Sequence, residues 1–476
     1  MDPDVNWWVR VALDGWERRE GPRYRQIAAA IADAMATRLI DAGDRLPAER
    51  LLADALGVSR GTTVRAYEGL AEAGLVERRQ GAGTFIRPRP AWMHAPKETP
   101  GSGLLLRRLS SDADVINLSL GVPAGTDHLP PVEGPILESL DGLGRGLDAA
   151  GLPELRRALA EYLTRRLGLP TTPDMLIVTS GAQNALSLIT AALVVPGRPV
   201  VAGCPANPGL VGAVAAQGSR VVGVPVDSHG VDVRAIERAA ASGAVIYVDP
   251  PAHDPTGAVL SAGRRASLLE VAKRREAVVV EDLSQSGLDL GRVRGRAVPL
   301  GADDDSVVVV GSLSKMFWAG LRVGWIRSPH RLYGHLLRLR TAADLAPSVP
   351  SQLIAARLLR AADRAWRDEL RATLKERRDL LLALIAEKLP SWHVDRPHAG
   401  LSTWVTLPVD ESEDFAHLAA TRHGVIAASG VTACVDGRHL NGLRLSFAES
   451  PQTVEAAVDR LADAWAEYTR RLASTA

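Results

Sequence analysis

The stretch "GSLSKMFWAGLRVG", Gly311 to Gly324, sets one lysine, Lys315, among Leu313, Met316, Phe317 and Trp318, with one arginine, Arg322, seven positions on. Lysine is scarce in this chain, five residues against 51 arginines in 476. The stretch continues from "SVVVVGS" (306–312), an apolar run that predicts a strand buried on both faces. Such strands belong to mostly parallel sheets flanked by helices, where ligands sit at the carboxyl ends of the strands. Lys315 stands at such an end. Its apolar neighbours partly desolvate the amine, and a desolvated amine is available for Schiff-base chemistry. A lysine reaching solvent from a loop is the plainer reading of the same letters.

Working outward, five more runs read as buried strands: "MLIVTS" (175–180), "RPVVAG" (198–203), "SRVVGVPV" (219–226), "AVIYVDP" (244–250) and "EAVVVED" (276–282). Helical stretches alternate with them, so residues from 115 onward predict an α/β body. Three further strand ends carry candidate chemistry. "TSGAQNAL" (179–186) runs through Ser180, Gly181 and Ala182 into a helix, whose free N–H groups and dipole suit a phosphate. "PPAHDPTG" (250–257) is a Pro/Gly-rich turn. "VVVEDLSQSG" sets Glu281 and Asp282 at a strand terminus, where a carboxylate can hold a protonated ring nitrogen or cap a helix. Taken singly, each is equally consistent with an ordinary turn or cap. Beyond about 346 the pattern turns to long helices and then to alternating segments such as "LSTWVTL" and "LRLSFA", predicting a smaller C-terminal α+β subdomain.

The front of the chain is of another kind. Residues 24–41 have helical apolar spacing, and Gly43 follows as a stop. "AERLLADAL" (48–56) predicts a short helix and "GV" a turn. Ser59 is then placed to cap a second helix (60–73), which Gly74 ends. "LVERR" and "TFIRP" alternate as two strands around the turn "QGAG" (80–83). That order is a helix-turn-helix with a wing. Residues 45–89 carry eight arginines against five acids, as a phosphate-seeking wing would, although a solvated hairpin fits the charge alone. The expected organisation is therefore a winged helix over 1–87, a Pro/Gly/Ser-rich linker over 88–114, and the body over 115–476, divided near 345.

Bulk composition narrows the function classes. A net charge of +1 gives no global pull toward nucleic acid or membrane. Two cysteines are too few for a disulfide framework or a cysteine-rich metal site. The acidic start lacks the pattern of a signal peptide, and no apolar run is long enough to span a bilayer, so a cytoplasmic protein without membrane contact is expected.

The succession "SGAQNAL", "HDPTG", Asp282, "SLSK" and Arg322 resembles the fold-type-I pyridoxal-phosphate enzymes of the aspartate aminotransferase family, over roughly residues 115–470. The resemblance implies that Lys315 carries pyridoxal 5'-phosphate as a Schiff base and that Asp282 pairs with the pyridinium nitrogen. Arg322, Ser312 and the turn Ser180-Gly181-Ala182 would hold the phosphate, and Arg444 in "GLRLSFA" would grip a ligand carboxylate. Three pocket positions depart from the family pattern. Asn207 replaces the aromatic residue that stacks on the ring, Ser284 replaces a tyrosine, and Asp254 stands where a neutral residue would face the ring's phenolate oxygen. Loss of the stacking ring costs on the order of 1 kcal/mol of cofactor affinity.

The front end, by "LPAER", "LGVSR", "AEAGL" and "GAGT", is similar to a GntR-type winged helix. Head, linker and body together resemble the MocR (GabR-like) bacterial transcriptional regulators. This implies a homodimer on a double-stranded DNA operator, with pyridoxal phosphate, an amine or an amino acid as effector. Arg60 opens the recognition helix beside Ser59 and Thr62, and Arg50 sits on the preceding helix near its turn. Arg78, Arg79, Gly81 and Gly83 belong to the wing. An active aminotransferase, or a regulator binding its ligand without the cofactor, are the other readings.

Overall fold

In the computed structural model the described residues are 5–13, 15–18, 21–36, 40, 43–79, 83–87, 115–136, 138–291 and 298–475. The expected linker and Gly81 lie outside them. The chain divides into two compact units, 1–98 and 99–476.

The first unit packs helices Arg23–Ala36, Glu49–Leu56 and Arg60–Glu72 around Ile27, Ile31, Leu52, Tyr67 and Leu70. Local signals set the helix pair. Gly57 takes the left-handed conformation (φ 64°) that ends the first helix, and Ser59 Oγ accepts the Thr62 N–H at 3.2 Å to start the second. Two long-range bonds lock them together: Thr63 Oγ1 donates to the Glu49 carbonyl and Tyr67 OH to that of Pro47, both at 2.9 Å. Strands Val76–Arg79 and Gly83–Ile86 form the antiparallel wing. Arg50 lies in the first turn of its helix, at the end away from Gly57, and so not near the turn as its sequence position suggested.

The second unit is built on an eight-stranded sheet. Its spatial order is Leu176–Thr179, Gly324–Arg327, Val308–Ser312, Val278–Asp282, Val245–Val248, Val200–Cys204, Val221–Asp227 and Gly230–Val231. The pairings from Val308–Ser312 through Val221–Asp227 are parallel, whereas Gly324–Arg327 runs against both its neighbours. Each of the six predicted strands is present. Successive residues face opposite layers: Val307 and Val309 enter one core, Val308 and Val310 the other. A four-stranded antiparallel sheet with helices Arg364–Lys388 and Pro451–Thr475 forms the smaller subdomain, around Leu374, Phe415, Leu443 and Leu461. Its extent differs from the sequence division in one respect. Ile116–Asn117 pairs with Val425–Ile426, and Leu118 packs into the small subdomain's core, although 115 onward was assigned to the large one.

The strand Gly324–Arg327 escaped the sequence reading. It is four residues long and ends on a charge, Arg327, which is buried against the Pro170 carbonyl and Asp305. Gly324 matters to the turn beside it, because a Cβ there would lie 2.5 Å from the backbone carbon of Gly181. Gly324→Ala is expected to cost about 1–3 kcal/mol of stability by overpacking, read from urea unfolding.

Candidate functional site

The body's candidate site is where the parallel strands end. Strand Val308–Ser312 delivers Lys315, whose Nζ lies 2.6 Å from Asp254 Oδ2. Asp254 comes from the turn after strand Val245–Val248, and its other oxygen lies 3.0 Å from Arg444 Nη2 as an ion pair without hydrogen-bond alignment. Burial alone would raise the Asp254 carboxyl, but Arg444 and Lys315 hold it well below the usual carboxylate range. The arginine is positioned by Nε donating to Ser402 Oγ (3.2 Å) and by close approach of Gly121, where a Cβ would strike the guanidinium.

Asp282 and Glu281 resolve into different roles. As neighbours on one strand they point to opposite faces. Glu281 accepts the Leu300 and Gly301 N–H groups at 2.7 and 3.0 Å on the far side, and burial pushes its carboxyl up to about 7. Asp282 faces the site, accepting from Tyr247 OH and the Ser284 N–H, both at 2.7 Å. Burial, then Asp282 itself, raise Tyr247 well above its ordinary range, so it remains a neutral donor. Asp249 donates no charge relief here. Its carboxyl accepts the Asp254 N–H at 2.7 Å and is raised by burial and by Asp282 and Asp254 nearby.

At the turn expected to hold a phosphate, Gly181 (φ 93°, ψ 172°) precedes helix Ala182–Leu193. The Arg322 guanidinium donates to the Ser180 carbonyl at 2.7 Å and lies 3.1 Å from where a Gly181 Cβ would be. Ser312 Oγ accepts the Ser314 N–H at 3.2 Å. Asn207 caps helix Pro208–Ala215, its Oδ1 accepting the Gly209 N–H at 2.8 Å, so its side chain is spent on the backbone rather than presented to a ring. The residues fit a phosphorylated pyridine aldehyde. The exposed Arg322 adjoins the N–H groups that start helix Ala182–Leu193, and the buried Asp282 ends the strand beside the one that leads to Lys315. The buried Ser284 and Ser314 hydroxyls and Gln285 Oε1 also have no protein partner.

A cavity of 520 Å³ opens onto Lys315, lined among others by Asp127, His128, Trp366, Arg377 and Leu401. Trp366 stacks on Phe317 and donates to the His128 carbonyl at 2.6 Å. Burial lowers His128, which favours its neutral form. None of these wall residues was found from the sequence, nor were Tyr247 and Asp249. The last two are readable only as core residues of "VIYVDP", and the wall residues named run from Asp127 to Leu401, 274 positions apart.

In the first unit a groove of 410 Å³ gathers Arg50, Arg60, Arg78, Arg79 and Gly83, together with Arg45, which sequence reasoning passed over. Gly83 (φ 116°) lets Arg45 approach, since a Cβ would lie 2.8 Å from its Nε. Arg78 pairs with Glu49 at 2.9 Å, and Arg79 donates to Glu77 at 2.6 Å. Arg50 and Arg60 are exposed, while Ser59 and Thr62 bond each other at 2.9 Å.

The shared carboxylate gives a test of the site's electrostatics. Asp254→Ala is expected to destabilise the protein by about 3 kcal/mol, because two cations then face each other. Adding Lys315→Met in that background should recover part of the loss, measured as a double-mutant cycle by urea unfolding.

The model of "Aminotransferase class I and II" matches residues 113–461, and that of "Bacterial regulatory proteins, gntR family" matches residues 23–86. An uncharacterized HTH-type transcriptional regulator, YdfD of Bacillus subtilis, is 26% identical over 90% of this chain and 92% of its own. The probable rhizopine catabolism regulatory protein MocR of Rhizobium meliloti is 27% identical over 80% of each chain. Among solved structures, an archaeal alanine:glyoxylate aminotransferase superposes with a TM-score of 0.68 at 28% identity, over 77% of this chain and 93% of its own.

Proposed function

The chain belongs to the aminotransferase class I and II family and, through its gntR-family head, to the MocR-like DNA-binding transcriptional regulators; from that premise we propose that its body is a receptor built around pyridoxal phosphate. The observation that carries this reading is the placing of three ionic anchors at neighbouring strand ends. Lys315 suits the aldehyde, Asp282 the ring nitrogen and Arg322, beside Gly181, the phosphate. Bound there, the cofactor would supply a carbonyl that condenses with primary amines and a ring that withdraws electrons.

The protein's own groups bias the site toward reception. Arg444 is already compensated by Asp254, so an effector carboxylate competes with an internal one for the guanidinium. The effector class is accordingly an amine or amino acid whose binding rearranges the Lys315–Asp254–Arg444 cluster. The head reads DNA through Arg60 at the first turn of helix Arg60–Glu72, with Arg78 and Arg79 on phosphates, and a homodimer supplies the symmetry of a two-part operator.

Two measurements test this reading. Pyridoxal phosphate should produce a near-visible absorbance, and borohydride reduction with peptide mapping should label Lys315. A label on another lysine, or no absorbance, contradicts the assignment, and Lys315→Ala should lose both signals while keeping its fold. On DNA, Arg60→Ala should cost about 1–3 kcal/mol on the cognate site and little on a scrambled duplex. Arg79→Ala should weaken both alike and lower the salt slope by about one. An unchanged cognate-to-scrambled ratio in Arg60→Ala would remove that helix from recognition.

A further inference from the structure

The chain contains two cysteines, Cys204 and Cys434, and the fold brings them together across 230 positions with their sulfurs 3.9 Å apart. Cys204 ends the strand Val200–Cys204 of the large sheet. Cys434 lies in the loop between the small-subdomain strands Ala428–Ser429 and Gly442–Ser446. Asp436, on the same loop, places Oδ1 3.1 Å from Cys204 Sγ and 3.4 Å from Cys434 Sγ. Among the described residues this is a set of three ligand atoms lying within 4.8 Å of one another.

The triangle has the size of one face of a metal tetrahedron. With bonds of about 2.3 Å to sulfur and 2.0 Å to oxygen, tetrahedral zinc separates two sulfurs by roughly 3.8 Å, and sulfur from oxygen by roughly 3.5 Å. The observed edges agree to within a few tenths of an ångström. A disulfide, at about 2.05 Å, would need the sulfurs to close by nearly half their separation. Backbone donors already point at both sulfurs: Val435 N–H to Cys204 (3.4 Å) and His439 N–H to Cys434 (3.2 Å). Such donors stabilise thiolate charge. The carboxylate is oriented too. Arg438 Nε donates to Asp436 Oδ2 at 2.8 Å and the Arg438 N–H to Oδ1 at 3.0 Å. The loop reaches the sheet because Gly223 has no side chain; a Cβ there would lie 2.9 Å from Val435 and 2.8 Å from Cys204.

We propose that Cys204, Cys434 and Asp436 form a site for a thiophilic divalent cation of the zinc class. In the metal-free state both thiols donate to Asp436 Oδ1. On binding, the two sulfur–hydrogen bonds break, two sulfur–metal bonds and one oxygen–metal bond form, and two protons leave to solvent, with no change of oxidation state. Three protein ligands leave the fourth position to water. The ion would tie the 430–441 loop of the small subdomain to the large sheet at the end of strand Val200–Cys204, three residues before Asn207.

Cadmium titration of the reduced, chelator-stripped full chain tests this directly. Expected are one equivalent bound, thiolate-to-cadmium charge-transfer absorbance, and release of two protons, measured by calorimetry in buffers of different ionisation enthalpy. Zinc should displace the cadmium. Cys204→Ser and Cys434→Ser should each lose the charge-transfer band, and Asp436→Asn should weaken binding roughly tenfold or more. If either serine variant fails to fold, the band, stoichiometry and proton count of the wild-type chain decide alone. Absence of a stoichiometric band overturns the site, as does a band that persists in a folded Cys204→Ser variant. So does recovery of both sulfurs as a disulfide after mild peroxide treatment in a chain that takes up no metal when reduced, which would make them a redox pair.

Discussion

One carboxylate organises the body's site. Asp254 lies between Lys315 and Arg444, two cations delivered by different subdomains, and it is the group that lets them sit on either side of one carboxylate. Desolvation works against a buried aspartate, so the arrangement holds only because both partners are within ion-pair distance. Its backbone is held as firmly as its side chain, through the N–H bond to Asp249. The Arg444 guanidinium therefore carries an internal counter-charge.

The surrounding acids share one low-dielectric neighbourhood but are handled separately. Asp282 is satisfied by two donors, Tyr247 and the Ser284 backbone, and Asp249 by a single N–H. Asp254 has the cations. Glu281, one residue from Asp282, is taken out of the site by strand alternation and spent on the turn at Leu300–Gly301. Neighbouring carboxylates are thus separated by orientation in one case and by partner in the others.

Much of this was legible in the sequence, for a specific reason. The parallel strands are written in runs of β-branched residues such as Val278–Val280 and Val307–Val310, and each run leads into a candidate site residue, Asp282 two positions on in the first and Lys315 five positions on in the second. Ser59, Gly57 and Gly74 likewise signal their own caps. What stayed hidden depends on sequence-distant contact. That Asp254 faces Arg444 across 190 positions is not encoded near either residue, and neither is the approach of Trp366 to Phe317. Asn207 is an instructive middle case. Its replacement of a ring was visible, but the capping bond that occupies its side chain appears only once the turn is built. Strand Gly324–Arg327 was missed because a buried arginine, held by a carbonyl and an aspartate, imitates an exposed one in sequence.

The parallel pairing of Ile116–Asn117 with Val425–Ile426 has a mechanical consequence. Backbone bonds from Ile116 N–H to Gly424 and from Leu118 N–H to Ile426, with Ser446 N–H to the Leu118 carbonyl, rivet the first residues of the body to the small subdomain. The polypeptide arriving from the DNA-binding head is thus anchored to the part of the body that carries Arg444 and Cys434. A shift of that subdomain against the large sheet would therefore carry residues 116–118 with it, because these backbone bonds make them one piece.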